Sequence, residues 1–360
     1  MGVQLHSGDL LKQNNVDAIV NTVNCVGVMG KGIALQFKNK WPDNFKLYQA
    51  ECKAGRIRPG RMFVFDSGGL IKPNYIINFP TKDHWREKSK IDYVRDGLDD
   101  LVAQVVRLGI RSIAIPPLGC GNGGLAWNEV RPMIIQAFAN LPEIDVRIFE
   151  PAGAPDPKSM EVNTAKPRMT LARAAIVKVL EAYAHVGYGL SKLEVQKLVY
   201  FMQWHGVPFA RVNFVPDKYG PYSDTLRHAL ETMEGHYIRG LGDGVVEAEI
   251  EPTQTALMEA THFLKVTPDG KQVFDAVGRM ERLIDGFQSA YGMELLSTVH
   301  WVASNMPHAT SPDEALAAIK VWSKRKAGLM QASHVEAAWQ RLVVEGWIAN
   351  EQSILLSSPA

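Results

Sequence analysis

Apolar residues follow two different patterns on the two sides of residue 150. Before it, short runs rich in β-branched residues alternate with stretches of helical spacing. Segments 3–6, 18–23, 61–65, 75–79, 112–115 and 145–149 read as strands. Segments 31–40, 44–54, 91–108 and 127–140 read as helices. Pro42-Asp43 is a start signal for the second, and Val94, Leu98, Leu101, Val102 and Val105 line one face of the third. Strands separated by helices of this length predict an α/β unit, with helices on both faces of a mixed or parallel central sheet. Ligands of such sheets sit beyond the carboxyl ends of the strands.

The period changes after residue 167. Segments 171–185, 191–204, 223–233, 253–264, 269–285, 286–304, 312–319 and 334–345 all carry helical apolar spacing, with a short β-hairpin expected at 347–356. Between the two patterns lies PAGAPDPKSMEVNTAKP, rich in Pro, Ala and small polar residues and without apolar period. The expected organisation is an α/β domain over 1–152, a linker over 153–167 and a mostly α-helical domain over 168–360.

Composition narrows the class. Of 360 residues, 46% are hydrophobic and 21% charged, which excludes a disordered or collagen-like chain. No apolar run reaches the roughly 18 residues of a membrane span, and the N-terminus lacks a secretory pattern, so no membrane association is expected. Cys25, Cys52 and Cys120 form no C-x-x-C pair, and an odd, scattered set is no disulfide framework. No metal site and no cofactor are expected, and a reducing cytoplasm fits. The net charge of +1 hides an asymmetry: residues 1–150 hold 19 Lys and Arg against 15 Asp and Glu, and the remainder is acidic. A basic first part suits a polyphosphate or nucleic-acid ligand.

Three loops follow strands of the α/β part. The first, 21–34, carries Gly27, Gly30 and Gly32 before a helix whose N–H groups can face an anion. Its spacing is not that of a Walker A loop, and a glycine-tolerant turn is its plain structural reading. The second, 116–125, places Gly119, Gly121 and Gly124 in a G-x-G-x-x-G pattern after Pro116-Pro117. It lies at the end of the unit rather than in its first βα step, so it reads better as an anion nest than as a dinucleotide fingerprint. The third sets Thr81, Lys82, Asp83, His84 and Arg86 just past a buried strand, as either a site or a solvated loop. Two phosphate cradles around one ligand suggest a diphosphate. Asp9 could then accept from an adenine amino group, or simply cap a turn.

These residues, from His6-Ser-Gly-Asp-Leu-Leu through Val16-Asp-Ala-Ile-Val-Asn and Gly30-Lys-Gly-Ile-Ala to Pro116-Pro-Leu-Gly-Cys-Gly, resemble the macrodomain family. The resemblance spans about residues 1–150 and keeps the order of the family's motifs. Gly30–Ala34 and Thr81-Lys82 are similar to the branch of the terminal ADP-ribose protein glycohydrolase and the DNA ADP-ribosyl glycohydrolase antitoxins. The resemblance implies that Asp9 and Leu10 hold adenine. It implies that Gly30, Lys31, Gly32 and Ile33, with Gly119, Cys120, Gly121, Asn122 and Gly123, line the diphosphate and distal ribose. Asn21 and Asn24 would orient that ribose, and Lys82 would be the catalytic lysine. One departure stands out. A relative in this branch carries a catalytic aspartate where this chain has Gly123, and Asn122 beside it cannot act as a carboxylate base.

The implied substrate is ADP-ribosylated single-stranded DNA, with His84, Trp85 and Arg86 as DNA-contact candidates beside Lys88 and Lys90. In the helical part, residues 192–203 and Tyr219-Gly-Pro-Tyr-Ser resemble a Panacea-type antitoxin domain. This implies that residues 168–360 bind and neutralise a DarT-like ADP-ribosyltransferase toxin. Glu231, Glu234, Asp243, Glu247, Glu249 and Glu251 are the acidic candidates for that contact. A non-catalytic ADP-ribose reader and a glycohydrolase for ADP-ribosylated protein are the competing readings. Lys82 could act as a Schiff-base nucleophile, its amine kept neutral by burial or by neighbouring cations such as Lys31 and Arg86, or as a cation that stabilises the leaving base; the missing aspartate favours the second.

Overall fold

The computed structural model describes residues 2–69, 71–184, 190–305 and 308–348. The chain divides into two compact units, one of Met1–Ala165 with Gly242–Val246, the other of Lys166–Leu241 with Glu247–Ala360.

The first unit runs β1 (Gly2–His6), β2 (Ala18–Val23), α1 (Gly32–Lys40), α2 (Pro42–Lys53), β3 (Phe63–Asp66), β4 (Tyr75–Pro80), α3 (Ile91–Arg107), β5 (Ser112–Ile115), α4 (Trp127–Ala137) and β6 (Asp145–Phe149). The strands form one sheet in the order β1-β6-β5-β2-β4-β3. All neighbours are parallel except β3 and β4. The sheet is therefore mixed, as the spacing predicts. Strands β2 and β5 are buried almost throughout, as a sheet covered on both faces requires. Val94, Leu98, Leu101 and Val105 of α3 are buried at helical spacing, and each such side chain contributes about 1.5–3 kcal/mol. Of the stretch read as a linker, Asn163 donates its backbone N–H to Asn39 and Glu161 pairs with Lys40, so this stretch is held along α1.

The second unit is built mainly from α5 (Leu171–Ala184), α6 (Lys192–Trp204), α7 (Asp224–Met233), α8 (Gln254–Val266), α9 (Gly270–Ile284), α10 (Ala290–Ser304), α11 (Pro312–Trp322), α12 (Lys324–Leu329) and α13 (Ala332–Val344). Its caps follow the sequence. Ser191 and Glu194 form a capping box on α6, and Thr253, Ser289 and Ser311 cap α8, α10 and α11. Pattern reading missed α12, six residues without apolar period. It also missed two antiparallel pairs, β7 (Val215–Asp217) with β8 (Gly220–Tyr222), and β9 (Ile238–Arg239) with β10 (Glu251–Pro252). The hairpin expected at 347–356 lies, beyond residue 348, outside the described residues.

Two of the acidic docking candidates are corrected here. Glu234 and Asp243 are buried, because each carboxylate serves backbone N–H groups of its own loop: Glu234 those of Gly240 and Leu241, Asp243 that of Val245. Neither is a surface charge. Glu247, Glu249 and Glu251 are exposed.

Candidate active site

Strands β5, β2 and β4 lie side by side and parallel, so their carboxyl ends deliver the three loops to one edge of the sheet. Asn21 of β2 stands opposite Asn78 of β4. The Asn21 amide donates to Asn78 Oδ1 at 3.0 Å, and Asn78 donates to Asn44 Oδ1 at 2.7 Å. All three are fully buried. Asn21 Nδ2 also approaches Met29 Sδ at 3.9 Å, so this residue sits beneath the first loop and anchors it. Asn24 builds the loop itself: its Oδ1 accepts from Val26 and Val28, and Tyr48 donates to its carbonyl. Neither Asn44, Asn78 nor Tyr48 was anticipated. A polar residue inside the apolar run Tyr75–Pro80 was the available signal for Asn78.

Among the described residues, the N–H groups of Gly30, Lys31, Ile33 and Ala34 take no hydrogen-bond partner, nor do those of Gly121, Asn122 and Gly123. Two sets of backbone donors thus remain at the strand ends, which is how an anion cradle is built. Gly32 differs from expectation, because its N–H is spent on the carbonyl of Asp243 at 2.9 Å. Gly32 has φ +62°, and a Cβ there would lie 2.8 Å from Asn122 Nδ2, so the two loops meet at this point. The second loop is tied by Leu125 N–H to Gly119 O at 3.0 Å and by Ser89 N–H to Gly123 O at 3.0 Å.

The glycine at 123 is sterically required. A Cβ there would lie 2.2 Å from the Gly119 carbonyl oxygen and 2.3 Å from Ser89 Oγ. An aspartate cannot occupy this position without moving the loop. Ser89 is 7% exposed, and its Oγ has no hydrogen-bond partner. Sequence patterning gave no sign of it.

Lys82 leaves the end of β4 half-buried, and its Nζ donates to Asn122 O at 2.6 Å. Burial lowers its pKa below the usual lysine value, the first of the two causes the sequence offered; Lys31 and Arg86 take no part in the shift. Cys25 N–H donates to Asp83 O at 2.9 Å, which fixes the first loop against this segment. Burial, before the Asp83 charge, pushes the Cys25 thiol up to about 12, and burial pushes Cys120 up to about 11. Both stay protonated near neutral pH and are poor nucleophiles.

Asp9 Oδ1 accepts from Leu11 N–H at 2.9 Å and caps the short turn Leu10–Lys12, with Leu10 buried. The cap leaves the second carboxylate oxygen for a further donor. A small pocket beside it is lined by Asp9, Leu11, Gln36, Lys40, Ser159 and Glu161. In the third loop, Trp85 is 46% exposed, with the Arg86 guanidinium 4.7 Å from its ring centre and His84 5.6 Å away. No cluster of potential metal ligands exists among the described residues, and none of their helices is long and apolar enough to cross a membrane.

The sheet with its strand-end loops defines the class of the first unit: the Macro domain family model matches residues 20–134. Along almost its whole length, the chain is 43% identical to the DNA ADP-ribosyl glycohydrolase of Thermus aquaticus, covering 96% of this chain and 94% of that protein. It is 42% identical to the protein of the same name from Mycobacterium tuberculosis, covering 94% and 98%. The chain belongs to the DNA ADP-ribosyl glycohydrolase family. It is also 32% identical, over 41% of its length, to 42% of a DNA ADP-ribosyl transferase–DNA ADP-ribosyl glycohydrolase fusion protein of Thermosipho africanus.

Proposed function

We propose that this chain is an antitoxin enzyme that removes ADP-ribose from bases of single-stranded DNA by hydrolysing the N-glycosidic bond. Its helical part, residues 168–360, binds and neutralises a DarT-like DNA ADP-ribosyltransferase, in the cytoplasm. The observation that carries the enzymatic reading is Lys82 at the end of β4, bonded to the second of two loops rich in unpaired N–H groups. Near full-length similarity to named glycohydrolases supports the reaction, and the fusion relative supports pairing with a transferase.

The two loops hold the diphosphate through N–H groups of Gly30, Lys31 and Ile33 and of Gly121, Asn122 and Gly123. Asp9 accepts from the adenine amino group, and Leu10 supports the ring. This places the anomeric carbon of the distal ribose near Lys82. As the bond to the base breaks, positive charge grows on the ribose and negative charge on the base. Lys82 acts as an ammonium: its N–H groups meet the carbonyl of Asn122 and the departing base. The C–N bond breaks with its electron pair going to the base, water adds its hydroxyl to the anomeric carbon, and the water's remaining proton ends on the base nitrogen. Trp85 stacks on a neighbouring base while Arg86 meets phosphate.

The test is release of ADP-ribose from an ADP-ribosylated single-stranded oligonucleotide, with the wild-type chain and Lys82→Ala. Release should fall by about 10²–10³-fold, the cost of losing one transition-state donor. Lys82→Ala should still bind ADP-ribose and still co-elute with the transferase on gel filtration. Equal release by both proteins would sink the assignment of Lys82. No release by wild type, with ADP-ribose bound, would leave the reader or the glycohydrolase for ADP-ribosylated protein.

A further inference from the structure

The first unit includes a short segment, Gly242–Val246, far along the chain from its other residues. Asp243 in this segment is 2% exposed. A buried carboxylate survives only with hydrogen-bond donors around it, and its donors are specific. Oδ2 accepts from Gln36 Nε2 at 2.7 Å, and Oδ1 from Val245 N–H at 3.0 Å. The carbonyl of the same residue takes Gly32 N–H, the first of α1. Gly242 seats the segment, since a Cβ there would lie 2.9 Å from Pro157.

We infer that Asp243 is a positioning residue for the ADP-ribose cleft, an inference that rests on the function proposed above. Gln36 and Gly32 stand on the two sides of that role. Gln36 lines the pocket next to Asp9, so the bond to Asp243 fixes an amide at the adenine end. Gly32 lies where the two glycine loops meet, so the second bond fixes the start of α1 at the diphosphate end. Lys31 precedes α1 without a side-chain cap, and the Asp243 carbonyl serves in its stead. It satisfies Gly32 and leaves Ile33 and Ala34 as the helix donors aimed at a phosphate. Asp243 touches neither the reacting carbon nor Lys82, so its effect falls on binding rather than on the chemical step.

The full-length chain carries the test, with calorimetric titration of ADP-ribose and steady-state release from the oligonucleotide. Asp243→Ala should weaken ADP-ribose binding and raise KM by about tenfold, as expected for losing a charged hydrogen bond, with kcat unchanged. Asp243→Asn keeps an acceptor for Gln36 and should restore most of the affinity. Gln36→Ala should weaken binding in the same direction, and the double variant should be no worse than Asp243→Ala alone, because that variant already removes the Gln36 bond along with the one from Val245 N–H. Wild-type affinity in both Asp243→Ala and Gln36→Ala overturns the inference, as does a fall in kcat at constant KM. If Asp243→Ala does not fold, Gln36→Ala and Asp243→Asn decide the matter. A wild-type chain that fails to bind ADP-ribose overturns the parent reading as well, so the two failures are distinct.

Discussion

The two units treat their polar groups in opposite ways. At the strand ends of the first, seven backbone N–H groups take no hydrogen-bond partner among the described residues, and Ser89 Oγ is buried without one. In the second, Ser223 Oγ is likewise buried without a partner, but the buried charged side chains answer one another. Glu294 accepts two bonds from Arg325 and one from Lys326, whose Nζ also donates to Thr298. Lys197 donates to the carbonyl of Pro221, Gln196 exchanges bonds with the backbone of Ser223, and Tyr200 meets His300 at 2.7 Å. Most of the first unit's unpaired donors belong to exposed residues, Gly30, Lys31, Gly121 and Asn122, so they are open to water or, in the function proposed above, to a ligand. The second uses polar groups to hold Tyr219-Gly-Pro-Tyr-Ser against α6.

The largest effect should come from breaking the second unit's network. Burial alone would raise the Glu294 pKa, yet Arg325 and Lys326 hold it below the usual carboxylate value. Glu294→Ala leaves Lys326, fully buried, without its counter-charge. A loss of about 3–5 kcal/mol is expected in the unfolding transition of that unit, read by calorimetry or denaturant titration. The strand-end loops draw no hydrogen bond from Glu294, so ADP-ribose affinity should stay at its wild-type value. A matching loss of affinity would break the contrast between the units.

A smaller effect is expected within the first unit from Gly123→Ala. The added methyl meets Gly119 O and Ser89 Oγ, both far inside contact distance. Relief requires the second loop to move, at about 1–3 kcal/mol. The Gly121–Gly123 donors would shift with it, so ADP-ribose binding should weaken together with the unit's melting temperature. A variant of normal stability and affinity would show that the loop is looser than its contacts imply.

Much of this contrast was legible in the sequence, for different reasons in different places. β-Branched runs between helical stretches located every strand of the six-stranded sheet, and β2, β5 and β6 match residue for residue. The glycine loops were legible because glycine spacing is local. The placement of Asn21 beneath its loop was not, since it follows from the register with Asn78. The docking of Gly242–Val246 depends on contacts about 200 residues apart, and its acidic residue looked like surface charge. Ser89 carries no pattern at all: only the packing of one glycine against it reveals its position.

The smallest effect, and the one that separates two chemistries at one residue, is the pH profile of Lys82. Burial places its pKa below the usual lysine value. An ammonium that stabilises the leaving base is present below that pKa and is lost as pH rises through it. For a charged Lys82, kcat should therefore be flat through neutral pH and decline on the alkaline side, earlier than an exposed lysine would allow. A nucleophilic lysine demands the reverse, because the neutral amine appears only as pH rises, and kcat would climb over the same window. Wild-type kcat from pH 6 to 10, a span of about four units chosen to bracket a lowered lysine pKa, reads the sign directly. The unfolded chain binds the Lys82 proton more tightly than the folded one, so stability rises with pH between the lowered value and about 10.4. A falling kcat in that window therefore reports the loss of a catalytic cation, and a rising kcat trapped by borohydride would make Lys82 the nucleophile.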